Sequence, residues 1–474
     1  MHKLSTKTPL FEQFEEIALT QGDKVAVDSE GESISYRELL GLSLEIAAGL
    51  ERATTREQPV GLLVEQGPLF IASALACLRI GIPFVPLDPS YPSTRLDHMI
   101  KQSATEVILA SGTQAALSSS VAGPGRTVKN IDDLRIESAP KSLPTGAEDT
   151  AYILFTSGST ASPKGVMQSG KSVVHNVIRH SRNFHITSED RQTLLYPTSV
   201  YGGIRDIFNA LLHGCSIFHF GVREKGYTDL GPWLREKRIS IYCSVASVFR
   251  HFAASMPEDL ALDDLRLIKL GGEATRRKDI DLFESKGFRP DCVVFGGLAS
   301  TETGMVRAYR HEKGQPYPGS ALPLGYPVDG VEVTLVDPQG QPVERGEAGE
   351  IVVTSKYISK GYINMPGETT EKFSANPDGT ISYRMGDLAR EDEKGCLTHL
   401  GRADSQIKIR GNRIEISEVE AAILTSPDVK DAAVNVGENA TGEAMMLAYF
   451  IPATEGTNPD LSLKLRDHLL SRVP

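Results

Sequence analysis

The chain has 474 residues, of which 40% are hydrophobic and 23% charged. This is the composition of a soluble globular protein, long enough for roughly two to four domains around a large buried core. The formal net charge of −11 argues against a general nucleic-acid surface, which needs clustered basic side chains, while leaving room for a local cationic site.

Leu10, Phe11, Phe14 and Ile17 recur at helical spacing and predict an amphipathic first helix. Residues 26–39 read as a hairpin turning at 30–33, then a helix from Tyr36 capped by Ser35. The run 59–65 is a buried strand, and 69–81 a helix closed by Gly81. Short apolar runs follow at 106–111, 151–157, 193–198, 216–220, 240–245, 265–272 and 291–297, with helical stretches between several of them. This alternation predicts parallel sheets covered by helices. Residues 117–145, rich in Ser, Gly and Pro, read as a loop between two α/β units. From about 323 to 400 the strands 331–337, 349–355, 380–387 and 396–402 carry Gly-rich turns and few helices, the pattern of a small antiparallel β module. A charged strand at 405–414, a helix at 417–426 and a further β-α passage complete the chain.

Cys77, Cys215, Cys243, Cys292 and Cys396 show no C-x-x-C spacing and no Cys/His cluster, so they are expected to be structural thiols in a reducing cytosol rather than zinc ligands. The N-terminal segment lacks the apolar stretch of a signal peptide, and no run approaches the ~20 apolar residues of a membrane span. A cytoplasmic protein with neither a membrane nor a nucleic-acid partner is expected.

The sharpest local feature is Thr156–Val166, which follows an apolar strand and combines hydroxyls, glycines and one lysine. Backbone N–H groups of a Ser/Gly loop approach phosphate oxygens closely, and one ammonium offsets their charge. It is not a Walker loop, since G-x-x-x-x-G-K-[ST] is not satisfied. On composition alone it is either a phosphate cradle or an ordinary surface loop.

In order and spacing, Thr156–Val166 resembles the phosphate-loop signature of the adenylate-forming superfamily, with Ala161 in place of one usual glycine. That superfamily comprises acyl-CoA synthetases, nonribosomal-peptide adenylation domains and luciferases. The resemblance extends in order through 78–96, Gly271–Thr275, Ser300–Gly304, Tyr383–Leu388 and Gly401–Glu415. It is closest to peptide-synthetase adenylation domains. The implied fold is α/β: a large N-terminal core of two α/β subdomains plus a small β-barrel-like module (1–402), then a small, mobile α+β lobe (403–474).

The implied chemistry is activation of a carboxylic acid by ATP and Mg²⁺, with release of pyrophosphate. The acyl group then passes to the phosphopantetheine thiol of a carrier protein or to CoA. By the resemblance, Thr156, Ser157, Gly158, Ser159, Thr160 and Lys164 hold the phosphates. Gly271, Gly272, Glu273, Ala274 and Leu298 face the adenine, with Leu298 standing where an aromatic ring is usual. Ser300 and Thr301 flank Glu302, the expected Mg²⁺ ligand, while Asp387 and Arg402 take the ribose. Asp404 is the hinge of the C-terminal lobe, and Lys408 lies on the strand that serves thioester formation; Thr156, Lys164, Glu302 and Lys408 are the catalytic candidates. The 78–96 block reads as a structural hairpin. His175 is either near the acyl site or a structural helix histidine.

The acyl pocket is expected to be lined by Tyr201, Gly202, Arg205, Cys243, Lys269, Gly271, Gly297, Met305 and Val306. Amino-acid-activating relatives pair the substrate ammonium with an aspartate where Tyr201 stands here, and an unpaired buried ammonium is costly. The expected substrate therefore lacks a conventionally held α-amine and is a keto, hydroxy, aryl or other acid. Asp206 is expected to pack elsewhere. Arg205 and Lys269 either bind a second carboxylate, keto or hydroxyl group, or point to solvent or a helix end.

The family's C-terminal lysine, in a Pro-x-x-x-x-Gly-Lys context, does not occur before Pro474. The expectation is a fragment of a larger synthetase, or a lost lysine and much slower adenylation. Free-standing acyl-CoA or aryl-CoA ligases share the first half-reaction and form the second reading. A non-catalytic scaffold module is the third.

Overall fold

The structure is a computed structural model that describes residues 3–54, 58–114, 117, 120–138, 140–156, 163–316, 319–403, 406–409, 412–438, 444–453 and 460–470. The order of elements matches the expected architecture, with α/β sheets first, a β module next and a small α+β lobe last.

The first α/β unit holds a six-stranded sheet whose central strands, Val60–Leu63, Phe84–Pro86, Val107–Ala110 and Thr150–Thr156, run parallel. Lys164–Ser169 closes one edge antiparallel to Thr150–Thr156. The second unit holds a nine-stranded sheet, parallel from Val25–Ser29 through Val293–Ser300 and antiparallel at both edges. Its parallel strands are Val/Ile/Leu-rich because helices cover both faces. The β module is a five-stranded antiparallel sheet in which Ile381–Glu391 pairs with Ala348–Ser355, Phe373–Ala375 and Leu397–Arg402. Two hairpins, Gln406–Ile409 with Asn412–Glu415 and Val429–Glu438 with Ala444–Pro452, pack with Ile416–Leu424 and Leu461–Leu470 in the last lobe.

Local sequence signals explain the element ends. Ser35 caps Tyr36–Ala53 in a capping box, accepting from Glu38 N while Glu38 accepts from Ser35 N. In the first helix, Leu10–Thr20, the four residues predicted to share a face are all buried. The 117–145 segment departs from the loop expectation. Thr127–Asn130 adds a parallel edge strand to Val107–Ala110, and Ile131–Leu134 forms a helical turn packed against Gly49. Neighbouring Ser, Gly and Pro hide that short strand in the sequence. All five cysteines are buried and unbridged. Among the described residues no helix is long and apolar enough to cross a membrane.

Two glycines on the Tyr36–Ala53 helix make opposite tests of packing. A Cβ on Gly49 would lie 1.7 Å from the Leu134 carbonyl oxygen, whereas one on Gly41 meets nothing within 4 Å. Gly41→Ala is expected to stabilise by roughly 0.5–1 kcal/mol through helix propensity. Gly49→Ala should destabilise by about 1–3 kcal/mol, because overpacking outweighs the same propensity gain. Urea denaturation of both variants checks the signs.

Candidate active site

The C-terminal ends of the nine-stranded sheet, the β module and the hairpin end of the six-stranded sheet converge on one cavity of about 950 Å³. This is the place where open α/β sheets bind ligands, and the size accommodates a nucleotide together with a small acid.

The strand Leu267–Leu270 enters a turn, Gly271–Thr275, that borders the cavity; Gly272 has φ +81°, a conformation side chains other than glycine's adopt at a cost. Leu298, Ser300 and Thr301 line the facing wall. Asp387 and Arg402 meet across the cross-strand pair of the β module, with Arg402 Nη1 donating to Asp387 Oδ2 at 2.8 Å. His399 Nε2 lies 3.0 Å from Asp387 Oδ1. Thr156 also lines the cavity, at the end of its hairpin strand. Ser157, Gly158, Ser159 and Thr160 lie outside the described residues, as does Asp404. Lys408 sits on Gln406–Ile409 opposite Arg413, on the strand whose Ile409 reaches the cavity rim.

Two of the expected catalytic side chains stand behind the wall rather than on it. Glu302 is fully buried, and its Oε1 accepts from the Tyr362 hydroxyl at 3.2 Å. Lys164 is also buried, with Nζ 5.5 Å from the centre of the Tyr362 ring. Tyr362 OH lies 3.4 Å from Tyr383 OH, and Tyr383 does line the cavity. The turn after Ser300 leaves Thr301 on the cavity and carries Glu302 behind its wall. Among the described residues no group of three or more His, Cys, Asp or Glu side chains could hold a metal alone. Mg²⁺ usually takes one or two carboxylates and completes its octahedron with phosphate oxygens and water. One carboxylate beside Thr301 fits that donor count once the Tyr362 bond yields.

At the other end of the cavity, helix Tyr201–Leu211 supplies Tyr201, Gly202 and Arg205, and the sheet supplies Lys269, Gly271, Gly297 and Met305. Arg205 and Lys269 do not point to solvent. Lys269 is buried and Arg205 nearly so, and between them lies Asp206, wholly inaccessible. Arg205 makes a two-pronged pair with Asp206 at 2.9 and 3.1 Å, while Lys269 Nζ lies 3.5 Å from Asp206 Oδ1. Cys243 and Val306 do not line the cavity. Cys243 lies beneath Asp206, and burial followed by that carboxylate's charge pushes its thiol up to about 12. Val306 alternates with the cavity-lining Met305 and Arg307, so it points into the core of the β module.

Several cavity residues carried no functional signal in the sequence. Tyr91 and Arg95, on the segment expected to be a structural hairpin, line the cavity, with Tyr91 OH 3.1 Å from Ser199 Oγ. His175 instead stacks on Tyr357 at 3.6 Å, the structural role; burial and then Arg179 and Arg182 press it down to about 3. His180, five residues further along the same helix, lines the cavity. Its Nδ1 lies 2.8 Å from the Asn176 carbonyl, so Nδ1 carries the proton and donates it, leaving Nε2 as an acceptor. Burial first, then Lys269 and Arg205, hold His180 well below its ordinary pKa. Asn176 also gives Nδ2–H to Tyr201 OH at 2.6 Å and accepts from Met305 N and Arg179, fixing three parts of the wall at once.

The wall's charge is opposite to the chain's. Seven cationic side chains line it (Arg95, Arg205, Arg250, Lys269, Arg276, Arg307 and Arg402) against the carboxylates of Glu273 and Asp387. A concave, cationic, glycine-edged cavity at the ends of parallel strands is a site for phosphorylated and carboxylated ligands. Residues 14–363 match the family described as AMP-binding enzyme, and the chain belongs to it. The chain spans only a small part of the length of the curated relatives it matches. It is 33% identical over 449 residues to tyrocidine synthase 3 of Brevibacillus parabrevis, covering 93% of this chain and 7% of that protein. Its fold matches NpsA-ThdA, an artificially fused adenylation–PCP di-domain from Klebsiella oxytoca, with a TM-score of 0.85 and 23% identity over 100% of this chain and 92% of that one. It also matches o-succinylbenzoate CoA synthetase (MenE) from Bacillus subtilis, with a TM-score of 0.83 and 22% identity over 98% of this chain and 92% of that one.

Two outcomes follow from the buried charges. Asp206→Asn leaves two buried cations without their counter-charge and is expected to cost about 3–5 kcal/mol in urea denaturation. His180 binds a proton below about pH 6.5 in the unfolded chain but not in the folded one. Its contribution therefore falls as pH drops through that value, by up to ~1.4 kcal/mol per pH unit. His180→Gln should flatten the acid limb of stability measured between about pH 5 and 7.

Proposed function

We propose that this chain activates a carboxylic acid lacking a conventionally held α-amine and passes the acyl group to a carrier-protein phosphopantetheine thiol. In the first half-reaction a carboxylate oxygen attacks the ATP α-phosphorus, a new P–O bond forms, and pyrophosphate leaves with the electrons of the broken bond. The thiolate then attacks the acyl carbonyl carbon and AMP departs. The observation that carries this reading is the wall of seven cations and two carboxylates in an acidic chain, joining the Asp387–Arg402 end to the Arg205–Lys269 end in one cavity.

In this reading Asp387 and Arg402 hold the ribose, Gly271–Ala274 and Leu298 flank the adenine, and Ser300 and Thr301 meet the nucleotide. Thr156–Thr160 and Lys164 would cradle the phosphates, and fixed donors there stabilise charge developing in the transition state. Mg²⁺, when bound through Glu302 and phosphate oxygens, would supply charge neutralisation on the leaving pyrophosphate. No protein nucleophile is required. Residues 1–402 then form the adenylation core, and 403–474 a lobe that turns at Asp404 to bring the Lys408 strand to the site. A carrier-protein acceptor is supported by the likeness to peptide synthetases. The MenE-like fold supports the second reading, CoA as acceptor.

Hydroxylamine trapping and pyrophosphate exchange over keto, hydroxy, aryl, dicarboxylic and α-amino acids test the proposal. Preference for ordinary α-amino acids would sink the substrate assignment. Asp387→Ala should raise the KM for ATP by roughly 10–100-fold, the worth of hydrogen bonds to a charged group. Lys408→Ala is expected to leave pyrophosphate exchange within about twofold while slowing thioester formation at least tenfold. Equal loss in both assays would remove Lys408 from the second step.

A further inference from the structure

The acyl end of the cavity carries a charge imbalance that the adenylation reaction does not use. Lys269 Nζ is nine-tenths buried, lines the cavity and makes no hydrogen bond. Its nearest charge, Asp206 Oδ1, is 3.5 Å away and already accepts from Arg205 Nε at 2.9 Å. Two cations and one carboxylate leave one positive charge over. Phe184 packs beside Lys269, with its ring centre 5.1 Å from Nζ, so the ammonium cannot be solvated from that side. The ammonium nitrogen is closed off from water even while the cavity is open, so it has no solvent partner either. A buried cation without a partner is then expensive. Neither cavity-lining carboxylate can supply one, since Asp387 is held by Arg402 and His399 and Glu273 accepts from Ser247 N at 2.9 Å.

We infer that the acid activated here is a dicarboxylic acid whose distal carboxylate rests on Lys269, with Arg205 beside it. The inference rests on the adenylation reading for the reacting carboxylate and adds the second one. A keto or hydroxyl oxygen would satisfy one N–H but would leave the surplus charge in place. An α-ammonium would add a third cation. The wall is also fixed to receive such a group: Tyr201 OH accepts from Asn176 Nδ2 and so keeps its own proton to donate, and His180 stays neutral.

The test uses the full chain, with calorimetric binding of succinate, glutarate and adipate against butanoate, pentanoate, 2-oxobutanoate, 2-hydroxybutanoate and the amino acids alanine and 2-aminobutanoate. Pyrophosphate exchange with the same acids runs alongside. At least one diacid should bind and exchange at least tenfold better than every monoacid. Lys269→Met should erase that preference and bring the monoacid of matching length to within about threefold of the diacid. Should Lys269→Met fail to fold, the wild-type panel decides alone. Monoacids exchanging as well as, or better than, every diacid overturns the inference and leaves adenylation standing. Absence of exchange with all acids, while ATP binds, would count against adenylation itself; diacid binding retained in that case would still support the distal carboxylate site, and its absence would overturn it.

Discussion

One carboxylate, Asp206, sets the charge balance at the Arg205–Lys269 end of the cavity. It lies fully buried between Arg205 and Lys269, and without it neither cation could remain inside the protein. Because helix Tyr201–Leu211 and strand Leu267–Leu270 each bring one cation to it, the carboxylate also fixes how that helix sits over the sheet. The rest of the wall repeats the theme, since Arg250 is matched by Asp279 and Arg307 faces Glu391, each pair held at the cavity edge.

How much of this was legible in the sequence depended on the length over which a signal acts. Strands such as 240–245 and 265–272 declared themselves because a run of buried apolar residues is local. The cap at Ser35 did so because a capping box spans only the four residues Ser35–Glu38. Motif spacing grouped Asp387, Arg402, Leu298 and the 271–274 turn, and these do share one cavity. What escaped was the direction of single side chains. Whether Val306 or Met305 faces the cavity turns on one residue of strand register, and whether Glu302 or Thr301 does turns on a tight turn. Asp206 was invisible as the partner of Lys269 because 63 positions of sequence separate the residues that the sheet brings to 3.5 Å. The edge strand Thr127–Asn130 escaped because four residues among Ser and Gly carry too little pattern.

The cavity is shared by elements distant in the sequence. Tyr91 and Arg95 come from the first unit, Met305 and Leu298 from the second, Asp387 from the β module, and Ile409, Ile416 and Val436 from the last lobe. A site assembled from four bodies is complete only while all four stand together. In the proposed reading, a lobe turning at Asp404 would change what faces the cavity without altering its floor, which belongs to the sheet.

Lys164, Tyr362, Glu302 and Tyr383 form a chain of contacts running behind the wall from strand Lys164–Ser169 to the β module. Tyr383 and Asp387 lie on the same strand, Ile381–Glu391. A ligand that draws Glu302 or Lys164 toward its phosphates must break the phenol contact and loosen the ring beneath Tyr383. The strand that would grip the sugar thus registers the arrival of phosphate at the far end, so a nucleoside lacking its phosphates and a phosphate lacking its nucleoside would each meet only half of a coupled clasp.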